Sequence, residues 1–316
     1  MRIFADERCL LHPAPAGFPE RPERLARTLR RLDADRDLSL VRRTPEAADD
    51  ERTLAAVERV HAAGHAARLE RAARRGDALF DTADNPLGTA TFEAALAAAG
   101  SALAALDETM TGDERATFAA VRPPGHHAER SQAMGFCYFN NVAIAASEAR
   151  TRHGVERLAI YDFDVHHGNG TQHLFEEDPD VFYVSSHQFP FYPGTGAAGE
   201  RGIGAGEGAT LNLPLPAGSG DAVYRELHRT AVFPALRAFR PELLLISAGF
   251  DAWRGDPLGG MQVSGDGFAE WGRELRELAG ELCEGRIVSI LEGGYDLEAL
   301  PGLIRGYLTG HYAEFT

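Results

Sequence analysis

Short apolar, β-branched or aromatic runs alternate along the chain with longer segments in which apolar residues recur at helical spacing, and this predicts an α/β protein with a mostly parallel sheet. The strand-like runs are Arg2–Ala5, Thr117–Val121, Arg157–Phe163, Val181–Ser186, Leu211–Leu215, Leu243–Ala248 and Ile287–Leu291. Helical spacing predicts Glu23–Leu32 after a Pro-rich loop, two helices within Asp49–Arg75 broken near Gly64, and Gly88–Met110. It also predicts helices over Asn140–Arg152, Asp221–Phe239, Gly265–Cys283 and Leu297–Thr309. Gln188–Gly208, with Pro190, Pro193 and seven glycines, is too glycine-rich for a regular element, and loops of that length in a compact domain usually carry function. No internal repeat or low-complexity linker divides the chain, so one domain over residues 1–316 is expected.

The composition, 44% apolar and 25% charged, is that of a folded soluble chain. All 32 cations are Arg and none is Lys, which excludes a Lys Schiff base, a cofactor-bearing Lys and a Walker-type phosphate loop. A net charge of −15, with no basic cluster apart from neighbouring acids, argues against a nucleic-acid partner. Charges at the start of MRIFADERCL leave no room for a secretory apolar region. The longest apolar stretch, Ala94–Leu106, is too short to span a bilayer, so no membrane association and a cytoplasmic location are expected. Cys9, Cys137 and Cys283 are far apart and form no CxxC, which predicts buried free thiols.

In a parallel α/β sheet, ligands sit beyond the carboxyl ends of the strands, and four strand ends here are chemically dense. Thr117–Val121 leads into Arg122-Pro-Pro-Gly-His126-His127, and Arg157–Ile160 into Asp162-Phe-Asp164-Val-His166-His167-Gly-Asn169. Leu243–Ser247 leads into Asp251, and Ile287–Leu291 into Glu292-Gly-Gly-Tyr295. Alternation at a strand end puts Asp164 and His166 on one face and turns His167 away. A carboxylate with an imidazole favours a zinc-like divalent ion, and Asp251 is the strongest candidate for a third ligand that leaves positions open. An isolated Asp-x-His is more often a hydrogen-bonded loop feature, but tandem imidazoles are costly to bury without partners. His126-His127 therefore read as an acid/base element, with Asp162 and Asn169 as partners for their rings. Asn169, taken alone beside Gly168 and Gly170, reads as a plain turn residue. Tyr295 can donate its hydroxyl to a developing oxyanion, although a wet boundary Tyr is the commoner case.

The segments RPPGHHA (Arg122–Ala128), GFCYFNNVAIAA (Gly135–Ala146), DFDVHHGNGTQ (Asp162–Gln172), YPGTG (Tyr192–Gly196), SAGFDA (Ser247–Ala252), DPLGGM (Asp256–Met261) and LEGGYDL (Leu291–Leu297) resemble the zinc-dependent histone deacetylase family. The resemblance runs in order from FPERPERL (Phe18–Leu25) and is nearest to class II-like and bacterial members, which include acetylpolyamine amidohydrolases. It implies a single-domain arginase–deacetylase fold, an eight-stranded parallel sheet flanked by helices. It further implies a catalytic Zn2+ on Asp164, His166 and Asp251, His127 as general base and acid, His126 as its electrostatic companion, and Tyr295 polarising the amide. A structural K+ or Na+ would take Asp162 and Ser185, with carbonyls of Asp164, His166 and Ser186. Gly135, Phe136, Tyr192, Leu258 and Gly293 would line the substrate channel. Asn169 stands where many members have Asp, a class II-like feature that makes the partner of His127 neutral.

The same resemblance implies hydrolysis of an acetamide on an alkyl chain, carried by acyl-lysine in peptides or proteins or by an acetylated small amine. An acid at the channel mouth would reward a polyamine's extra charge. The rim position in DPLGGM is Leu258, which tilts the reading toward acyl-lysine, with Asp256 and other rim acids still able to reach a cation. An arginase-like ureohydrolase would need a two-manganese ligand set in place of this one-metal pattern. A non-catalytic acyl-binding module would be expected to lack a ligand or Tyr295, and the glycine run Gly202–Gly208 lacks the strand-to-helix context of a dinucleotide site.

Overall fold

Eight strands, all parallel, form the central sheet of the computed structural model, which describes residues 1–45 and 49–311; residues 46–48 and 312–316 of the expected domain lie outside the described residues. In chain order the strands are β1 (Arg2–Phe4), β2 (Val41–Arg43), β5 (Ala116–Ala119), β6 (Leu158–Asp162), β7 (Val181–Gln188), β8 (Thr210–Leu215), β9 (Leu243–Ala248) and β10 (Ile287–Leu291). A separate antiparallel hairpin pairs β3 (Leu79–Phe80) with β4 (Thr82–Pro86). The spatial order of the sheet is β2-β1-β5-β10-β9-β6-β7-β8. Every residue of β5, β6, β9 and β10 is buried, as expected of strands covered by helices on both faces. The four strand ends dense in chemistry are thus neighbours in space and open on one edge of the sheet.

The helices are α1 (Pro22–Asp33), α2 (Asp50–Val60), α3 (His65–Arg75), α4 (Thr91–Thr111), α5 (Asn141–His153), α6 (Asn169–Phe175), α7 (Asp221–Leu227), α8 (Phe233–Phe239), α9 (Gly265–Cys283) and α10 (Leu300–Gly310). Gly64, in the left-handed region at φ 83°, makes the expected break between α2 and α3. The helix expected over Asp221–Phe239 is divided by a π-turn, His228–Val232, in which the Phe233 N–H bonds to His228 O. Pro234 lies in the first turn of α8 and has no N–H for the regular ladder. The last helix starts later than Leu297, because the Asp296 carboxylate accepts the N–H groups of Glu298 and Ala299 (3.0 and 3.1 Å) ahead of it.

Seven strands follow from the apolar runs; the eighth, β2, is short, Arg-rich and exposed throughout, and exists by pairing with β1 in the register Arg2↔Val41. The β3–β4 hairpin and α6 likewise have no strong periodic signature. All three cysteines are buried and free. No helix among the described residues is long and apolar enough to cross a membrane.

A buried ion cluster fastens the N-terminal segment beneath the strand ends. Glu20, Arg24 and Arg122 are 0%, 1% and 0% exposed. Glu20 Oε1 accepts from Arg122 Nε (2.8 Å) and Arg24 Nη1 (3.1 Å), while Arg24 also donates to the carbonyls of Glu292 and Gly294 (both 2.6 Å). A guanidinium suits this role because its planar fork serves several acceptors at once. Burial pushes the Glu20 carboxyl up, but Arg122, Arg24 and His12 outweigh it and hold the group below its usual range. Removing the shared acid would strand two buried cations. Glu20→Ala is therefore expected to lower unfolding stability by about 3–5 kcal/mol in chemical denaturation.

Candidate active site

The segment after β6 is folded by its own side chains. Asp162 Oδ1 accepts from the Asp164 N–H (3.2 Å), and Asp164 Oδ1 from the His166 N–H (2.9 Å), so each acid turns the chain that follows it. Asp164 Oδ2 accepts from the Gly293 N–H after β10 (2.8 Å), and Asp251 Oδ1, after β9, accepts from the Val165 N–H (2.9 Å). These bonds draw three strand ends together.

Asp164, His166 and Asp251 converge, with one potential ligand atom of each lying within 4.8 Å of the others. His166 Nδ1 is 3.1 Å from Asp164 Oδ1 and 3.2 Å from Asp251 Oδ2. Asp251 Oδ2 is buried without a hydrogen-bond partner. Glycine is required around them, since a Cβ on Gly293 would meet Asp251 Oδ2 at 2.1 Å and one on Gly249 would meet Asp164 Oδ2 at 2.0 Å. Two carboxylates and one imidazole with an orphaned oxygen fit a divalent cation of the zinc type. Burial acts to lower the His166 pKa, but the adjacent Asp164 and Asp251 carboxylates raise it to about 10. A divalent ion would compete with that proton for the same nitrogen. Burial and the neighbouring Asp164 push the Asp251 carboxyl up.

The adjacent imidazoles, with ring centroids 4.0 Å apart, have different partners. His126 Nδ1 lies 3.0 Å from Asp162 Oδ2, and His127 Nδ1 lies 2.7 Å from Asn169 Oδ1. Asn169 donates its amide N–H to Glu129 Oε1 (2.5 Å), which turns its oxygen toward His127 and leaves His127 Nε2 as an acceptor. Burial disfavours charge on both rings. For His126 the carboxylates of Asp162 and Asp164 overcome it and raise the pKa to about 10. For His127, burial and the nearby His126 and His166 drive it well below the ordinary value. The pair is thus split into a cation held by carboxylates and a neutral base.

A cavity of about 410 Å³ reaches this cluster, lined by Asp84, His127, Gly135, Phe136, His166, Phe191, Tyr192, Leu258 and Tyr295. Gly135 and Phe136 are both left-handed, at φ 57° and 68°. Gly135 also packs on His127, whose ring a Cβ would meet at 2.4 Å. Tyr295 is 8% exposed, with the Arg24 guanidinium 4.7 Å from its ring centroid and its N–H bonded to Asp256 Oδ2 (2.6 Å). Burial pushes its phenol well up, so it remains an O–H donor.

Of the residues read as channel lining, Gly293 instead lies beneath Asp164 and Asp251. Asp256 is not a rim acid: it is 8% exposed and accepts from the N–H groups of Leu258, Tyr295 and Asp296. Asp84 and Phe191 went unmarked in the sequence. Phe191 stacks on His166 at 5.3 Å next to Tyr192, and Asp84 arrives on the hairpin without a periodic signal. Phe18, from the N-terminal loop, packs edge-on against Phe136 (5.1 Å). Asp162 and Ser185 are register partners on β6 and β7, with the Ser185 hydroxyl 2.9 Å from His187 Nδ1. His167 faces away from the cavity, between Thr195 and Gln172.

A model of the histone deacetylase domain matches residues 18–310. The chain is 39% identical over 325 residues to a histone deacetylase-like amidohydrolase of Pseudomonas aeruginosa, covering 95% of this chain and 82% of that protein. It is 47% identical over 215 residues to the chloroplastic histone deacetylase 14 of Arabidopsis thaliana, covering 66% of this chain and 51% of that protein. It thus spans about half the length of such plant relatives, 51% and 48%. The crystal structure of an acetylpolyamine aminohydrolase from Burkholderia pseudomallei superposes with a TM-score of 0.87 at 34% identity, covering 99% of each chain. With the matched domain spanning nearly all of the chain and the sheet shared with that solved structure, the chain belongs to the histone deacetylase family.

Proposed function

We propose that this protein is a zinc-dependent deacetylase that hydrolyses the side-chain amide of acyl-lysine in peptides or proteins. The observation that carries the reading is the meeting of His127, Tyr295 and the Asp164–His166–Asp251 group at one cavity whose other walls are largely apolar. Zinc bound there would supply Lewis acidity for both the carbonyl and the attacking water. The remaining steps belong to the chain. His127 Nε2 takes a proton from water as its oxygen attacks the carbonyl carbon, and the Tyr295 hydroxyl donates to the carbonyl oxygen as charge develops there. As the carbon–nitrogen bond breaks, His127 returns the proton to the departing nitrogen, giving acetate and a free amine. The charged His126, held by Asp162, maintains a positive potential beside the site, and Asn169 fixes the His127 tautomer. A K+ or Na+ on Asp162 and Ser185, with backbone carbonyls of Asp164, His166 and Ser186, would brace the β6–β7 end.

A second reading, an amidohydrolase of acetylated small amines, draws support from Asp84, an acid in the channel lining, and from the acetylpolyamine aminohydrolase neighbour. Acetate release from an acetyl-lysine peptide and from N-acetylputrescine, measured side by side with the metal content of the same preparation, tests both. Tyr295→Phe is expected to lower kcat by about 10²–10³-fold with metal still bound, as loss of one such donor does. Asn169→Asp puts a carboxylate against His127 and raises its pKa. Because the base must be neutral, the acidic limb of the kcat/KM pH profile should move to higher pH, by about 1–3 units.

A further inference from the structure

Asp84 is the only acid among the described residues that line the cavity outside the metal-ligand group, and its oxygens are already engaged. Oδ1 accepts from the Thr82 hydroxyl (2.5 Å), and Oδ2 accepts from the Gly135 N–H (3.1 Å) and the Tyr192 hydroxyl (3.0 Å). The first two donors belong to the wall built by the β3–β4 hairpin and the Gly135–Phe136 turn. Tyr192 comes from the glycine-rich loop between β7 and β8, so its bond joins two walls contributed by distant parts of the chain.

We propose that the Tyr192 hydroxyl is a specificity-determining group that straps the channel mouth to Asp84 and occupies the carboxylate face a substrate ammonium would otherwise use. The inference rests on the deacetylase reading and refines it, favouring an uncharged acyl-lysine stem over an acetylated amine that carries a cation at its far end. N-acetylputrescine and acetyl-lysine present the same acetamide on a similar alkyl stem, and differ in whether that stem ends in an ammonium or in peptide backbone.

The hydroxyl is separable from the rest of Tyr192. Its ring packs edge-on against His127 (5.1 Å) and His166 (6.1 Å), contacts a phenylalanine would keep. The loop has its own fastenings, since Thr195 bonds to His167, Gly196 O to His187, and the Gly196 and Ala197 N–H groups to Glu200. Asp84 would remain positioned by Thr82 and Gly135. Burial and Asp84 push the Tyr192 phenol upward, which keeps it a donor.

The test compares kcat and KM for N-acetylputrescine and an acetyl-lysine peptide with uncharged flanks, in wild type, Tyr192→Phe, Asp84→Asn and the double variant. Tyr192→Phe should raise the acetylputrescine-to-peptide ratio of kcat/KM about tenfold, chiefly through KM for acetylputrescine, because a freed carboxylate forms a charge-assisted bond. In the Asp84→Asn background the same change should give no such gain. A ratio within about twofold of wild type in Tyr192→Phe, or an undiminished gain without the Asp84 charge, overturns the proposal. Titration of the metal-loaded protein with putrescine gives a readout free of turnover, and binding should tighten in Tyr192→Phe. If neither substrate is hydrolysed, the deacetylase reading fails, while equal putrescine affinity in the two proteins separately overturns the strap.

Discussion

Buried carboxylates that accept backbone N–H groups from neighbouring strand ends hold this site together. Asp164 takes the Gly293 N–H across to β10, and Asp251 takes the Val165 N–H back to β6. Asp251 Oδ2, and the Asp164 Oδ1 that also accepts the His166 N–H, lie beside His166 Nδ1. The desolvation cost of burying such groups is offset by backbone dipoles and imidazole. The parallel sheet makes this possible, because β6, β9 and β10 are adjacent and end on the same edge.

The same economy separates the two histidines. They follow one another in sequence and share a buried setting, yet His126 faces the Asp162 carboxylate and His127 the neutral amide of Asn169. Burial disfavours charge on both rings; the carboxylates of Asp162 and Asp164 restore it on His126, while His126 and His166 add to burial against it on His127. Glu129 completes the arrangement by accepting from the Asn169 amide, an orientation that an Asp at 169 would lack.

Much of this was legible in the chain because buried parallel strands are continuous apolar runs and the chemistry follows them directly. The elements that escaped have physical reasons for doing so. Strand β2 is exposed and held by its neighbour, and the β3–β4 hairpin carries Asp84 to the channel by tertiary placement, not by periodicity. Asp256 looked like a free acid, but three N–H groups claim its carboxylate. The resemblance put Gly293 in the channel lining, whereas what its position requires is the absence of a side chain beneath two carboxylates. Sequence patterns register what a segment repeats; they are blind to which backbone donor a lone acid will meet.

The loop Gln188–Gly208 has little regular structure and many glycines, which ordinarily means that a ligand must immobilise it. Here Glu200 holds two consecutive N–H groups and the Gln172 amide, and buried His167 and His187 grip Thr195 and Gly196. The conformational entropy of this wall is thus lost when the protein folds and is not charged again to each substrate that enters. Phe191 and Tyr192 line the cavity as a surface already in place.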